Sequence, residues 1–103
     1  MFKLQPKPTF WAKVPVSIPG ESKPANIEVE FKHLGRESLK TFFETLDGKT
    51  DGEALSEIVC NWRGIDAEFS RDSFDELLSN YPSTAISLFT TYRQEVMEAK
   101  AKN

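Results

Sequence analysis

The sequence predicts an α+β domain in which an N-terminal antiparallel β-hairpin precedes about four α-helices. Three observations carry this reading. Apolar and polar residues alternate with a period of two in two early runs, separated by a turn-rich stretch. From Arg36 onward the apolar spacing changes to three or four residues. The run from Glu57 to Pro82 then carries the chemistry of two helix boundaries and the linker between them. At 103 residues the chain reads as one domain, 1–103. Such a length buries roughly 60–70% of the surface that the unfolded chain exposes.

Residues 1–9 contain Pro6 and Pro8 and read as an irregular arm, with Phe2 and Leu4 as its apolar anchors. The hairpin is placed over residues 10–33. In its first strand Phe10, Ala12, Val14, Val16 and Ile18 alternate with Trp11, Lys13, Pro15 and Ser17. Pro15 has no N–H to give to a ladder, so this strand belongs at an edge or turns that position to solvent. Pro19 to Pro24 is a turn-rich connection. In the second strand Ile27, Val29 and Phe31 alternate with Glu28, Glu30 and Lys32. Two strands alone are marginal in water, so one face must rest on helices or on another subunit.

The helical part is placed over residues 36–101. A first helix runs from Arg36 to Leu46 with Leu39, Phe42, Phe43 and Leu46 on one side, and Asp47-Gly48 ends it. Thr50 and Glu53 have the spacing of a capping box, in which each side chain satisfies a terminal backbone N–H. The second helix is predicted to run from there to about Arg63, with Ala54, Leu55, Ile58, Val59 and Trp62 inward, although Gly52 weakens its first turn. Gly64 closes it in the left-handed conformation. Ile65 and Phe69 cover the break, and Ser70 caps a third helix running to about Asn80, with Asp72 near its positive end. Phe74, Leu77, Leu78 and Tyr81 form the buried face of that helix, and Tyr81-Pro82 stops it. Trp62, Gly64, Ile65, Phe69, Phe74, Leu77, Leu78 and Tyr81 are thus the expected structural hub. Its rings bury several hundred Å² at roughly 150–250 Å² each. Pro82 to Thr84 opens a fourth helix, in which Ile86, Phe89, Tyr92/Arg93 and Val96 keep the helical spacing. It is expected to continue toward Ala99 and to fray through Asn103.

Composition narrows the function. Hydrophobic residues at 39% and charged residues at 28% describe an ordinary soluble chain, and a net charge of −3 makes no case for nucleic acid. Residues 1–40 carry seven Lys/Arg against four Asp/Glu, whereas residues 41–92 carry three against ten. A basic front and an acidic middle help like molecules pair or dock a basic partner, although solvated helix faces account for them more simply. Cys60 is the only cysteine, so no internal disulfide forms and a reducing compartment is expected. The N-terminal residues lack the apolar core of a signal peptide, and no window approaches a membrane span. A cytosolic protein without membrane attachment is expected.

Few residues invite chemistry. Gly48-Lys49-Thr50 resembles the end of a phosphate-binding loop, but Phe43 stands where that motif needs its first glycine. Asp47 to Gly52 resembles half of an EF-hand, but Lys49 occupies a ligand position and Ile58 the place of the bidentate glutamate. His33, the only histidine, has no orienting carboxylate and nucleophile near it in sequence and reads as a loop or capping residue. Cys60 has no second cysteine or histidine at zinc spacing and reads as a small hydrophobe on its helix. Asp66 and Glu68 are more simply a cap, or partners of Arg63 or Arg71, than an acid–base pair. Asp72, Asp75 and Glu76 make a wet helix face. No catalytic, cofactor or metal site is therefore assigned. Aromatics are the one excess: eight Phe, two Trp and two Tyr. Phe2, Trp11 and one of Phe42 and Phe43, here assigned to Phe43, are the candidate exposed contacts for a protein partner.

Four segments resemble one family. They are Phe2-Lys3-Leu4-Gln5-Pro6-Lys7-Pro8-Thr9-Phe10-Trp11-Ala12-Lys13-Val14-Pro15-Val16, the strand Ile27 to His33, the stretch Trp62 to Ser70, and Leu77-Leu78-Ser79-Asn80-Tyr81-Pro82. In order and spacing, over nearly the whole chain, they are similar to the tail assembly chaperones of long, flexible-tailed phages and their prophages. The resemblance implies a non-enzymatic protein of the bacterial host cytoplasm, absent from the mature virion. It implies binding to the tape-measure protein, a long, helical, aggregation-prone chain, which is kept soluble until tube subunits polymerise around it. It also implies a longer frameshifted form that recruits the tail tube protein.

Many copies lining one client also imply self-association, through hairpin edges or the fourth helix. The rival reading is a small structural component such as a head–tail joining or tail-completion protein. A DNA-binding regulator fits the acidic helical middle poorly, and an enzyme fits worst. Ala101-Lys102-Asn103 can be encoded by a run of adenines that forms a slippery heptamer, which would make this chain the short product. Sequencing the gene checks this: an AAG codon at Lys102, with no slippery site upstream, removes the hypothesis.

Overall fold

The expected alternation produces strands β1 (Thr9–Val16) and β2 (Ala25–Lys32), paired antiparallel with Val14 opposite Ile27 and Phe10 opposite Phe31. They belong to a computed structural model that describes residues 1–98. The predicted run of the last helix to Ala99, and the C-terminal residues beyond it, lie outside the described residues. After the hairpin come α1 (Arg36–Glu44), α2 (Asp51–Leu55), β3 (Val59–Arg63), α3 (Arg71–Asn80) and α4 (Thr84–Met97). The α+β class and the four helices stand as expected.

The hairpin is not alone. β3 adds to β2 in antiparallel fashion, giving a sheet of order β1-β2-β3. The predicted second helix, which was to reach Arg63, ends at Leu55, and its second half is this third strand. The cause is a bulge. Val59 pairs with Phe31 and Trp62 with Val29, so three steps along β3 match two along β2, with the register shift between Glu30 and Phe31. Cys60 is the additional residue. A bulge of this kind sets two core-facing residues three apart, which is also the spacing of neighbours on a helix face. The turn between α2 and β3 is tight, with Glu57 N–H donating to Ala54 carbonyl at 3.1 Å and Ile58 N–H to Leu55 carbonyl at 3.0 Å.

Pro15 sits on β1, an edge of the sheet, where its missing N–H breaks no ladder. One sheet face is buried: Ala12, Val14, Val16, Ile27, Val29, Phe31, Val59 and Trp62 all point into the core. Helices cover it, with α4 lying against β1 and α2 and α3 packed on α4. Along α4 the expected inward positions Phe89, Tyr92 and Val96 do meet the core, but Ile86 does not. The buried residues of the helix are Thr84, Ala85, Leu88, Thr91 and Tyr92, while Ile86 is 71% exposed. Small residues face the strand because they let the helix approach it, and hydrophobicity alone does not register that preference.

Helix starts follow the capping chemistry. Thr50 accepts from Glu53 N–H at 3.2 Å and Glu53 Oε1 accepts from Thr50 N–H at 2.9 Å. That backbone donor holds the Glu53 carboxyl below the usual carboxylate range. Ser70 and Ser73 exchange the same pair of bonds at the start of α3, so serine stands where a glutamate is usual. Gly52 is buried in α2 against the Asp75 carboxylate and Arg71 of α3, which explains a glycine in a first turn.

Tyr92 joins the layers. It is fully buried, and its ring lies 5.3 Å from Phe31, 6.0 Å from Phe10 and 6.3 Å from Phe42, centroid to centroid. Its hydroxyl donates to the Lys32 carbonyl at 2.8 Å, at the end of β2. Burial pushes the phenol up to about 12, against a smaller lowering by the backbone of Leu34. A raised value means that the fold favours the neutral phenol. This contribution is intact below the unfolded value near 10 and is lost as pH rises toward about 12. Tyr92→Phe should cost about 1–2 kcal/mol at pH 7. The wild-type advantage should vanish between pH 10 and 12, by something on the order of 2 kcal/mol. Urea melts of both proteins across that range check it, and parallel curves at every pH would refute it.

Candidate partner-binding site

α1 buries Phe42, and the next residue on a helix turns by about 100°, so Phe43 leaves the core and stays 36% exposed. Leu39 lies one turn before Phe43 and is half-buried. The end of α4 brings Val96 and Met97 to the same side. Between the two helices runs a groove of about 940 Å³, with Leu34, Leu39, Phe43, Val96 and Met97 as its apolar lining. Arg36 and Lys40 stand on its α1 side and Arg93 on its α4 side, where Arg93 Nη2 pairs with Glu98 at 3.1 Å. His33 lies at its mouth, at the exit of β2 as expected, and its backbone N–H donates to the Pro8 carbonyl at 2.8 Å. The N-terminal arm therefore leaves the fold beside this groove.

The three aromatics assigned to partner contact occupy three different places. Phe43 lines the groove. Phe2 is on the arm and is 92% exposed, as is Leu4. Trp11 is on the uncovered face of the sheet, where the Arg63 guanidinium sits 4.0 Å from its ring centroid. Arg63 also pairs with Glu28 across β2 and β3, and Thr9 donates to Glu30 at 2.7 Å. Trp11 is thus already engaged by a cation, an attraction worth roughly 0.5–1 kcal/mol at an exposed position. The groove residues Arg36, Lys40, Val96 and Met97 were missed from sequence. One signal pointed to two of them: Arg36 and Lys40 are a turn apart and flank Leu39 and Phe43, which are also a turn apart.

The expected hub is a second aromatic centre. Trp62 is buried, and its Nε1–H donates to the Ala67 carbonyl at 2.8 Å. Phe69 meets it edge-on at 5.2 Å, and Phe74 lies 6.4 Å from Trp62 and 5.8 Å from Phe69. Ile65, Leu77, Leu78 and Tyr81 pack half-buried against the core. Gly64 has φ +83°, yet it leaves a strand rather than a helix. The expected pairing of Asp66 or Glu68 with Arg63 or Arg71 does not form: Arg63 pairs with Glu28, and Arg71 with Asp75 at 3.1 Å.

Cys60 lies on the bulge instead of a helix, and its thiol donates to the Glu30 carbonyl at 3.4 Å. Burial pushes the thiol up, away from the thiolate that nucleophilic chemistry needs. Among the described residues no three His, Cys, Asp or Glu side chains are grouped to hold a metal ion, and no helix is long and apolar enough to cross a membrane.

A family model described as phage tail assembly chaperone matches residues 1–103, the whole chain. The chain belongs to that family. None of the curated proteins and none of the solved structures compared with it matches. The groove between α1 and α4 offers apolar contact area to a partner. The turn behind the aromatic centre can be tested directly. Gly64→Ala forces an L side chain into positive φ and should lower stability by about 1–2 kcal/mol. Urea denaturation measures it, and unchanged stability would show that the turn is not fixed in that conformation.

Proposed function

We propose that this tail assembly chaperone binds the tape-measure protein of its phage and keeps it soluble until the tail tube forms around it. The observation that carries the reading is the exposed apolar groove on a chain whose family match runs end to end. A long helical client exposes repeated apolar faces, and a groove between two helices takes such a face without pairing its backbone. Each contact is shallow and displaceable, while many copies along one client give high avidity. The tail tube protein then replaces the chaperone, recruited by a longer frameshifted form of which this chain is the short product. Chaperone copies also associate with one another on the client.

Co-expression with the tape-measure protein tests this. The client should move from the insoluble to the soluble fraction and co-purify with the chaperone. A client that is equally soluble on its own defeats the reading. Mass spectrometry of purified particles should find the chaperone absent, and stoichiometric presence would favour a head–tail joining component instead.

A further inference from the structure

We propose that the groove between α1 and the end of α4 selects an amphipathic helix whose apolar ridge is flanked by acidic residues. The inference rests on the chaperone reading for the source of that helix, but its chemistry comes from the groove itself. Phe43 and Met97, at 36% and 63% exposure, leave apolar surface in water on opposite sides of one depression. Its walls are mainly α1 and the end of α4, with the connection from His33 to Gly35 closing one end, so no sheet edge is offered there for a strand to pair with. An extended segment would bury unpaired N–H and C=O groups on entering, whereas a helix arrives with its own hydrogen bonds made. The stretch from Arg36 to Phe43 is about 11–12 Å long, which fits about two helical turns and anchors at i, i+3 or i+4, and i+7.

Charge then decides which helix. Arg36 and Lys40 line one lip a turn apart, and Arg93 stands on the other. Of the three, only Arg93 has an ion-pair partner, Glu98, among the described residues. Glu98 lines the same depression and offsets Arg93, so the uncompensated cations stand on the α1 lip, where they favour a ridge bordered by Asp or Glu and disfavour one bordered by Lys or Arg.

The chain's own segments fit less well. The N-terminal arm, rooted at the groove mouth, brings Phe2 and Leu4 but also Lys3 and Lys7, which have the same sign as the α1 lip. The acidic helix α3 has Asp72, Asp75 and Glu76, but its Phe74, Leu77 and Leu78 are already packed in its own core. A second copy therefore has no acidic helix with an open apolar ridge to offer from α3.

The test uses the full chain and fluorescently labelled helical peptides of about 14 residues. One carries Leu at i, i+3/i+4 and i+7 with Glu flanks, and its twin carries Lys flanks. Fluorescence anisotropy should show tighter binding of the Glu peptide, and weakening by added salt. The exposed double variant Arg36→Glu/Lys40→Glu, checked for an unchanged thermal melt, should bind the Glu peptide about tenfold more weakly and gain affinity for the Lys peptide.

Equal binding of both peptides, or no effect of the double variant on either, overturns the inference. So does failure of both peptides to bind, with loss of self-association in the double variant by sedimentation, which would make the occupant a second copy. Co-expression separates the two levels. A client solubilised equally by wild type and double variant removes the groove assignment and leaves the chaperone function standing. A wild type that binds the Glu peptide but does not solubilise the client leaves the groove chemistry and removes the chaperone reading.

Discussion

The rest of the structure depends on how Tyr92 is held. A three-stranded sheet with one apolar face needs a cover, and here the cover is fixed by a residue that serves both layers. The ring of Tyr92 fills the space among Phe10, Phe31 and Phe42, which come from β1, β2 and α1. Its hydroxyl would be costly in such a place without a partner, and it finds one in the carbonyl of Lys32. Apolar contact thus brings α4 to the sheet, and a directional bond sets where along the sheet it rests. The groove follows from the same arrangement. Phe42 and Tyr92 are in the core, and their neighbours Phe43 and Arg93 line the groove outside it.

Local chemistry in the sequence made much of the fold legible. Alternation gave the hairpin, Pro15 gave its edge, and Thr50 and Ser70 gave two helix starts, because in each case the cause lies within a few residues. β3 was hidden for the opposite reason. Its bulge exists only in relation to β2, and Cys60 as an additional residue turns strand spacing into helix spacing. The inward residues Val59 and Trp62 were still the right ones, since burial does not depend on which backbone delivers it. On α4 the expected spacing held at Phe89, Tyr92 and Val96 but missed the start of the helix, where Thr84 and Ala85 are buried and Ile86 is left outside.

The candidate site was legible only in part. Phe43 could be singled out because a helix with both Phe42 and Phe43 has more aromatic surface than one buried stripe holds. Trp11 looked equally free, but the sheet register brings Arg63 over its ring, and register is a long-range fact. Val96 read as a core position, and it does pack half-buried against the core while also lining the groove, which its spacing alone does not reveal. Arg36 and Lys40 became informative only once Val96 and Met97 were seen across from them.

A groove that holds its ligand weakly is the appropriate device for a chaperone that must let go. Burying apolar surface contributes roughly 25 cal/mol per Å², but association and side-chain ordering cost several kcal/mol before any affinity appears. Two helical turns on a shallow floor leave only a small surplus after those costs. Each exposed lip charge adds little energy, because water and salt screen it, but attraction to unlike flanks and repulsion of like ones add together in the difference between two candidate helices. In the proposed scheme, selection and retention therefore have different sources. The cations decide which helices are accepted, and the number of copies along the client decides how long it stays covered. A tube subunit that displaces one copy then meets a small local barrier, although the covered client as a whole is held firmly.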